Sequence, residues 1–231
     1  MRLHRRIACG LLCAALVAAF AGGAAAEPKV REVIDQQQVM DSGYYAHIAG
    51  EMVAVQTFAP GVTGYQTRLL LKLTRQAGYN WRTLETNLPG DLIVEIRPTA
   101  PSTVCVDGCN NGMTTADVPT DQVLSSAVLP TSAIADNAVL WYDVPFTSPA
   151  LLIQGQVYGI YLRTDDPPPA DPDTIPGTHI WRFHGDPVFD AYPAGQAIGL
   201  INYGTGHIWS VSTPRQDFDF VTYMQIVKHP R

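Results

Sequence analysis

The sequence predicts an all-β protein: an antiparallel two-sheet sandwich, jelly-roll-like, of about 8–10 strands. Three observations predict it. Short segments rich in Val, Ile, Thr and aromatic residues alternate apolar and polar side chains with period 2. Eighteen prolines and 19 glycines punctuate the chain. No stretch carries the i, i+3, i+4 apolar stripe of an amphipathic helix. Many short strands joined by Gly/Pro turns must bury one face each, and a sandwich or barrel is how they do it.

In order, Val53–Phe58 is β-branched and aromatic and stops at Pro60-Gly61. Tyr65–Thr74 is a longer apolar run with Arg68 and Lys72 set into it. Leu92–Arg97 alternates, with Glu95 and Arg97 opposite Ile96, so Glu95 reads as a solvent-facing strand residue. Asp121–Leu129 suits an edge strand, and Ser132–Asn137 a single helical turn at most. Val139–Phe146, Gln156–Arg163, Thr178–His184, Ala197–Tyr203, His207–Val211 and Phe218–Val227 complete the strands. Two stretches read as loops. Ser102–Thr120 holds two cysteines, Asn110-Asn111-Gly112 and little apolar material. Thr164–Gly177 has five prolines and four aspartates, and proline lacks the donor a central strand needs.

The N-terminus has its own pattern. Arg2, Arg5 and Arg6 precede the uncharged apolar run Ile7–Phe20, and Ala24-Ala25-Ala26 follows. A basic segment, a short apolar segment and a small-residue site make a secretory signal peptide, expected over 1–26. The run is shorter than the roughly 20 residues a membrane span needs. A single domain is expected over 27–231, and with 46% apolar residues the chain can bury a core. Beyond Ala26, 12 basic residues face 21 acidic ones, a net charge of −9. Nucleic acid and anionic membrane surfaces recruit basic patches, so neither is an expected partner. No hydrophobic tail follows Val227. The expectation is a protein released to the periplasm or medium rather than anchored.

Cys105 and Cys109 are the cysteines outside the signal. In an oxidising compartment a disulfide is the default for such a pair. A metal would require two further soft ligands, and none is near in sequence. A loop this short removes little chain entropy, so the bridge is expected to stiffen the loop rather than stabilise the fold.

Aromatic residues near turns are the binding candidates: Tyr79 and Trp81 beside Asn80 and Arg82, then Trp181, Tyr192 and Trp209 in the last third. Sugar C–H faces stack on exposed rings while hydroxyls bond adjacent amides, carboxylates and guanidinium groups. Trp141 lies in an apolar alternating run and reads as core. Asp165, Asp166, Asp171 and Asp173 offer oxygens to Ca²⁺, with Asp186/Asp190 and Asp217/Asp219 as alternative pairs. Their spacing matches no calcium loop, and prolines restrict convergence, so a solvated loop is expected and no cofactor or metal is assigned. Asp217 is expected to point to solvent.

Catalytic signatures are absent from the sequence. There is no G-x-S-x-G and no H-E-x-x-H. His179 and His184 are five apart, which puts them on opposite faces of a regular strand. Glu85, Asp91 and Glu95 could form a carboxylate pair, as in any acidic protein.

Several signposts lie in the order found in secreted bacterial β-sandwich domains called choice-of-anchor domains: Val55-Gln56-Thr57-Phe58, Gly90–Arg97 (GDLIVEIR), Tyr158–Leu162, Asp186-Pro187 with Tyr192–Ala197, and Trp209 before Asp217–Phe220 and Tyr223. The chain resembles that family from about Asp35 to Tyr223, GDLIVEIR being the most distinctive piece. The resemblance implies a jelly-roll-like sandwich without established catalysis and carries no residue-level site. The expected function is therefore a secreted, non-catalytic module that binds carbohydrate or another surface component. The alternatives are a structural or interaction protein of the envelope and, behind it, a polysaccharide-active enzyme.

Overall fold

The structure is a computed structural model that describes residues 29–40, 42–80, 82–166, 174–185, 192–202, 207–211 and 216–228. The expected signal peptide, Trp81, Asp171, Asp173, Asp186 and Asp190 lie outside these residues. Two seven-stranded sheets pack as a sandwich, with a three-stranded sheet beside them. Among the described residues the helical content is one 3-10 turn, Thr131–Ala133. Strands are numbered along the chain.

The first sheet runs β1 (Lys29–Gln38), β17 (Phe220–Lys228), β4 (Gly64–Gln76), β13 (Thr178–Gly185) and β16 (Gln216–Phe218), with β10 (Leu140–Leu152) on β4 and β2 (Tyr44–Ile48) on β13. The second contains β3 (Val53–Phe58), β7 (Leu92–Val106), β8 (Met113–Pro119), β9 (Ser125–Leu129), β11 (Tyr158–Thr164), β14 (Ala197–Asn202) and β15 (His207–Val211). The small sheet is β5 (Gly78–Asn80), β6 (Thr86–Asn87) and β12 (Thr174–Ile175).

The main core fills the space between the large sheets. Leu69, Leu71 and Leu73 of β4 alternate inward toward Leu92, Val94 and Ile96 of β7 and Ile160 and Leu162 of β11. Each such side chain contributes about 1.5–3 kcal/mol on leaving water.

The second sheet curls. β11 pairs with both β3 and β7, and β15 pairs with both β14 and β7. Strands β7, β11, β3, β14 and β15 therefore close into a ring. Its closing seam is short and parallel: Ser210 opposite Cys105 and Val211 opposite Val106. A second apolar cluster lies on this face, with Val53, Val55, Val104, Tyr161, Ile198 and Val211. This explains β3, whose six residues are all buried: one face lines the main core and the other the second cluster.

The expectation of a loop over Ser102–Thr120 is corrected. β7 continues through Val106, and β8 returns beside it from Met113 opposite Cys105 to Pro119 opposite Thr99. Only the tip, 107–112, is a turn. The polar Thr-rich run hides a strand because its side chains are half out of the core, whereas every residue of it has a register partner on β7. β1 and β2 are likewise strands that the charged and polar sequence did not announce.

Candidate functional site

Most of the sequence-predicted aromatics turn inward. Trp181 is fully buried, stacked on Phe218 at 4.2 Å between centroids, with its indole N–H donating to the Asp219 carbonyl at 2.9 Å. Tyr192 is buried, packs edge-on against Phe220 and donates its hydroxyl to Gln36 Oε1 at 2.9 Å; burial pushes its phenol well above the ordinary value. Sealed in the core, the Trp181 and Tyr192 rings present no open face for a sugar to stack on. Trp209 is half-buried on β15 and meets Tyr161 edge-on at 6.4 Å, closing the second apolar cluster. Tyr79 is half-buried in the small sheet opposite Thr86 and Ile175, and Arg82 is exposed on the turn that follows, its amide donating to Asn80 Oδ1. Among the described residues, Trp181 and Tyr192 thus lie in the core, Trp209 on the second cluster, and Tyr79 with Arg82 at the small sheet. A cavity of about 260 Å³ walled by His47, Met52, Gln76, Ile175 and Thr178 lies one strand from Tyr79.

The acidic candidates behave similarly. Asp217 is not solvent-facing: it is sealed, accepting from Gln56 Nε2 and the Tyr192 amide, both at 3.0 Å. Asp219 is equally buried, accepting from Gln38 Nε2 at 3.3 Å with Lys72 Nζ at 3.7 Å. Gln56 closes the network by accepting from the Phe218 amide at 2.7 Å. Glu95 is also buried, against expectation, because the curl of the second sheet covers its face. Arg97 grips one carboxylate oxygen and Arg163 the other at 3.1 Å, and Arg97 caps the Tyr161 ring at 3.9 Å. Asp166 accepts from the Gly90 amide, and Asp91 from the Thr131 amide at 2.9 Å. No group of three or more His, Cys, Asp or Glu side chains among the described residues could hold a metal. Cys105 and Cys109 are paired as a disulfide with Cα atoms 4.5 Å apart.

His179 shows what burial does to a base here. It is fully buried, its Nε2 is 2.7 Å from the Gly90 carbonyl, and burial lowers its pKa from about 6.5. Below that value the unfolded chain binds a proton that the fold resists, so stability falls as pH drops through 6.5 toward the folded value. His47, also held down by desolvation, adds to the slope. We expect the melting temperature to drop between pH 7.5 and pH 5, and His179→Gln to flatten that drop. An unchanged slope in the variant would remove His179 as the cause.

What the fold does assemble is a solvent-facing surface on the outside of the first sheet, across β1, β17, β4 and β10. Trp141 is 39% exposed and lies opposite Lys72, whose ammonium sits 5.9 Å from the ring centroid. The core reading of Trp141 is thereby corrected: its register partner Lys72 faces out, and the alternate residue Tyr142 packs inward. Tyr65 is 43% exposed beside Gln225. Tyr223 of β17, on the far side of β4 from Trp141, carries the Arg68 guanidinium 3.6 Å over its ring. Arg68 donates to Glu32 at 3.2 Å and Asp143 at 3.3 Å, and Thr67 donates to Glu32 Oε1 at 2.6 Å, holding that carboxyl below its ordinary value. Exposed Ile34 and Leu151 flank the surface. A bulge at Thr67, where pairing steps from Arg68 to Gln66, keeps both Tyr65 and Arg68 on the outside. The legible hint was Arg68 and Lys72 within an apolar run; the pairing that gathers Tyr65, Tyr223 and Trp141 was not readable without strand order.

A second surface feature is a cleft of about 320 Å³ between the edges of the sheets, lined by Ser126–Leu129 of β9 and Asp143–Pro145 and Thr147 of β10. Ser125 Oγ donates across it to the Ser148 carbonyl at 2.7 Å. No family model matches the chain, and no curated protein matches it in sequence. No helix of the described residues is long and apolar enough to cross a membrane.

Proposed function

We propose that the protein is a secreted, non-catalytic binding module, and that the outer face of the first sheet takes a neutral polysaccharide. The observation that supports this most is one surface holding three aromatic rings, Tyr65, Tyr223 and Trp141, interleaved with the amide of Gln225 and the charged set Glu32, Arg68, Asp143 and Lys72. Rings on neighbouring strands are spaced by multiples of about 4.8 Å across and 3.3 Å along the sheet, the scale of successive sugar residues. Arg68 is committed to two carboxylates, so the surface presents balanced charge rather than a cationic patch. That balance favours a neutral glycan over an acidic one. Binding is favoured over catalysis because Glu95, Asp217 and Asp219 are sealed from substrate and Glu32 and Asp143 are tied to one guanidinium.

The exposed aliphatic side chains of Ile34 and Leu151 on the same face favour a second reading, an interaction protein of the envelope. Retention on insoluble polysaccharides and on cell envelopes separates the two. We expect retention on a neutral polysaccharide, reduced about tenfold (~1.4 kcal/mol) by Trp141→Ala or Tyr65→Ala and unchanged by Trp209→Ala. Retention on envelopes alone would favour the protein partner; retention insensitive to Trp141 and Tyr65 would reject this surface.

A further inference from the structure

We propose that the Cys105–Cys109 disulfide is a redox latch on the seam that closes the second sheet into a ring. The inference does not depend on the glycan reading.

The disulfide sits where the ring closes. Cys105 is the residue of β7 opposite Ser210 of β15, and Val106 beside it is opposite Val211. Among the described residues those two pairs make up the β7–β15 register. The turn the disulfide staples reaches across the same seam: the Asp107 amide donates to the Val211 carbonyl and the Gly108 amide to Ser210 Oγ, both at 2.9 Å. The turn is also conformationally unfavourable. Asp107, Gly108 and Cys109 have consecutive φ values of 47°, 64° and 67°, all left-handed. Gly108 adopts this freely, whereas Asp107 and Cys109 each hold an unfavourable conformation. Asp107 is held partly by its own side chain, which accepts from Asn111 Nδ2 at 2.6 Å. Cys109 is held by the bond to Cys105. Removing that bond frees Cys109 to leave the left-handed region, and the turn withdraws the donors that tie β15 down.

The two sulfurs differ in access. Cys105 is buried and Cys109 is exposed. An external dithiol therefore attacks Cys109 Sγ, and Cys105 leaves as a thiolate and takes a proton. The second thiol of the reductant then attacks the mixed disulfide and releases Cys109. Two electrons and two protons pass to the protein, and the reductant becomes a disulfide. Opening the seam uncovers Val104, Val211 and Trp209 of the second cluster, while the main core between the sheets is untouched.

The test is amide hydrogen exchange on the purified protein, oxidised and after treatment with dithiothreitol. We expect exchange in 104–113 and 207–211 to quicken at least tenfold on reduction, to revert on reoxidation, and to stay constant in β4 and β17. Equal exchange of 207–211 in both states, or faster exchange throughout, would overturn the latch. Two variants separate relief of the turn from loss of a cross-link. Cys105→Ala/Cys109→Ala should exchange like the reduced protein. Cys105→Ala/Cys109→Gly, which tolerates the left-handed turn, should keep 207–211 protected. Identical exchange in the two variants would overturn the proposal.

Discussion

Replacing Trp181 by Ala is expected to remove about 3–5 kcal/mol of folding stability, a large part of what a single domain has. The indole is fully buried at the junction of β13 and β4, and its stack on Phe218 spans from β13 to β16. Truncation leaves a cavity the size of an indole, and the Asp219 carbonyl loses the shorter of its two donors, keeping the Lys72 amide at 3.5 Å. Trp181→Phe keeps a stacking ring but loses the N–H and part of the indole volume, so a smaller loss of about 1–3 kcal/mol is expected. Urea unfolding followed by circular dichroism measures both. A loss below about 1 kcal/mol for Trp181→Ala would mean that the ring is not a packing centre of the core.

The second large effect is expected from Gln56→Leu, an apolar replacement of similar shape. Gln56 is the hub between the sheets: its amide nitrogen donates to Asp217 and its oxygen accepts from the Phe218 amide. Leucine leaves a buried carboxylate one donor short and a buried N–H unpaired, at about 3–5 kcal/mol. Adding Asp217→Leu should recover part of that loss, because the remaining charge is then gone as well. The double-mutant cycle reads the coupling directly. Additive losses would show that Gln56 and Asp217 act independently and would refute the network.

The roles of Trp181 and Asp217 are not visible along the chain. Tryptophan near Gly-rich turns suggested a ligand platform, and Asp217 suggested a solvated carboxylate. Both fail for one reason: β4 pairs beside Trp181 at Leu73 and β3 reaches Asp217 through Gln56, partners more than a hundred positions away in sequence. Glu95 fails similarly. Alternation in Leu92–Arg97 correctly places it opposite Ile96, but alternation says only which face, and the curl of the sheet buries both faces.

By itself, the sequence determined the class. Period-2 alternation, β-branched and aromatic strands and dense Gly/Pro turns are local properties, and they specify an all-β sandwich because each strand must bury one face. It also anticipated the cysteine pairing, since Cys105 and Cys109 are the two cysteines beyond residue 26 and pair in the structure. Tertiary structure alone decided the rest. Strand order set which rings share a surface, so Trp141 of β10, Tyr65 of β4 and Tyr223 of β17 lie on one face although the sequence scatters them. The closing pair between β15 and β7 turned a half-exposed sheet into a doubly covered one, sealing Glu95 and all of β3. Such pairings depend on backbone hydrogen bonds between distant segments, and backbone groups carry no mark of the residue they will meet.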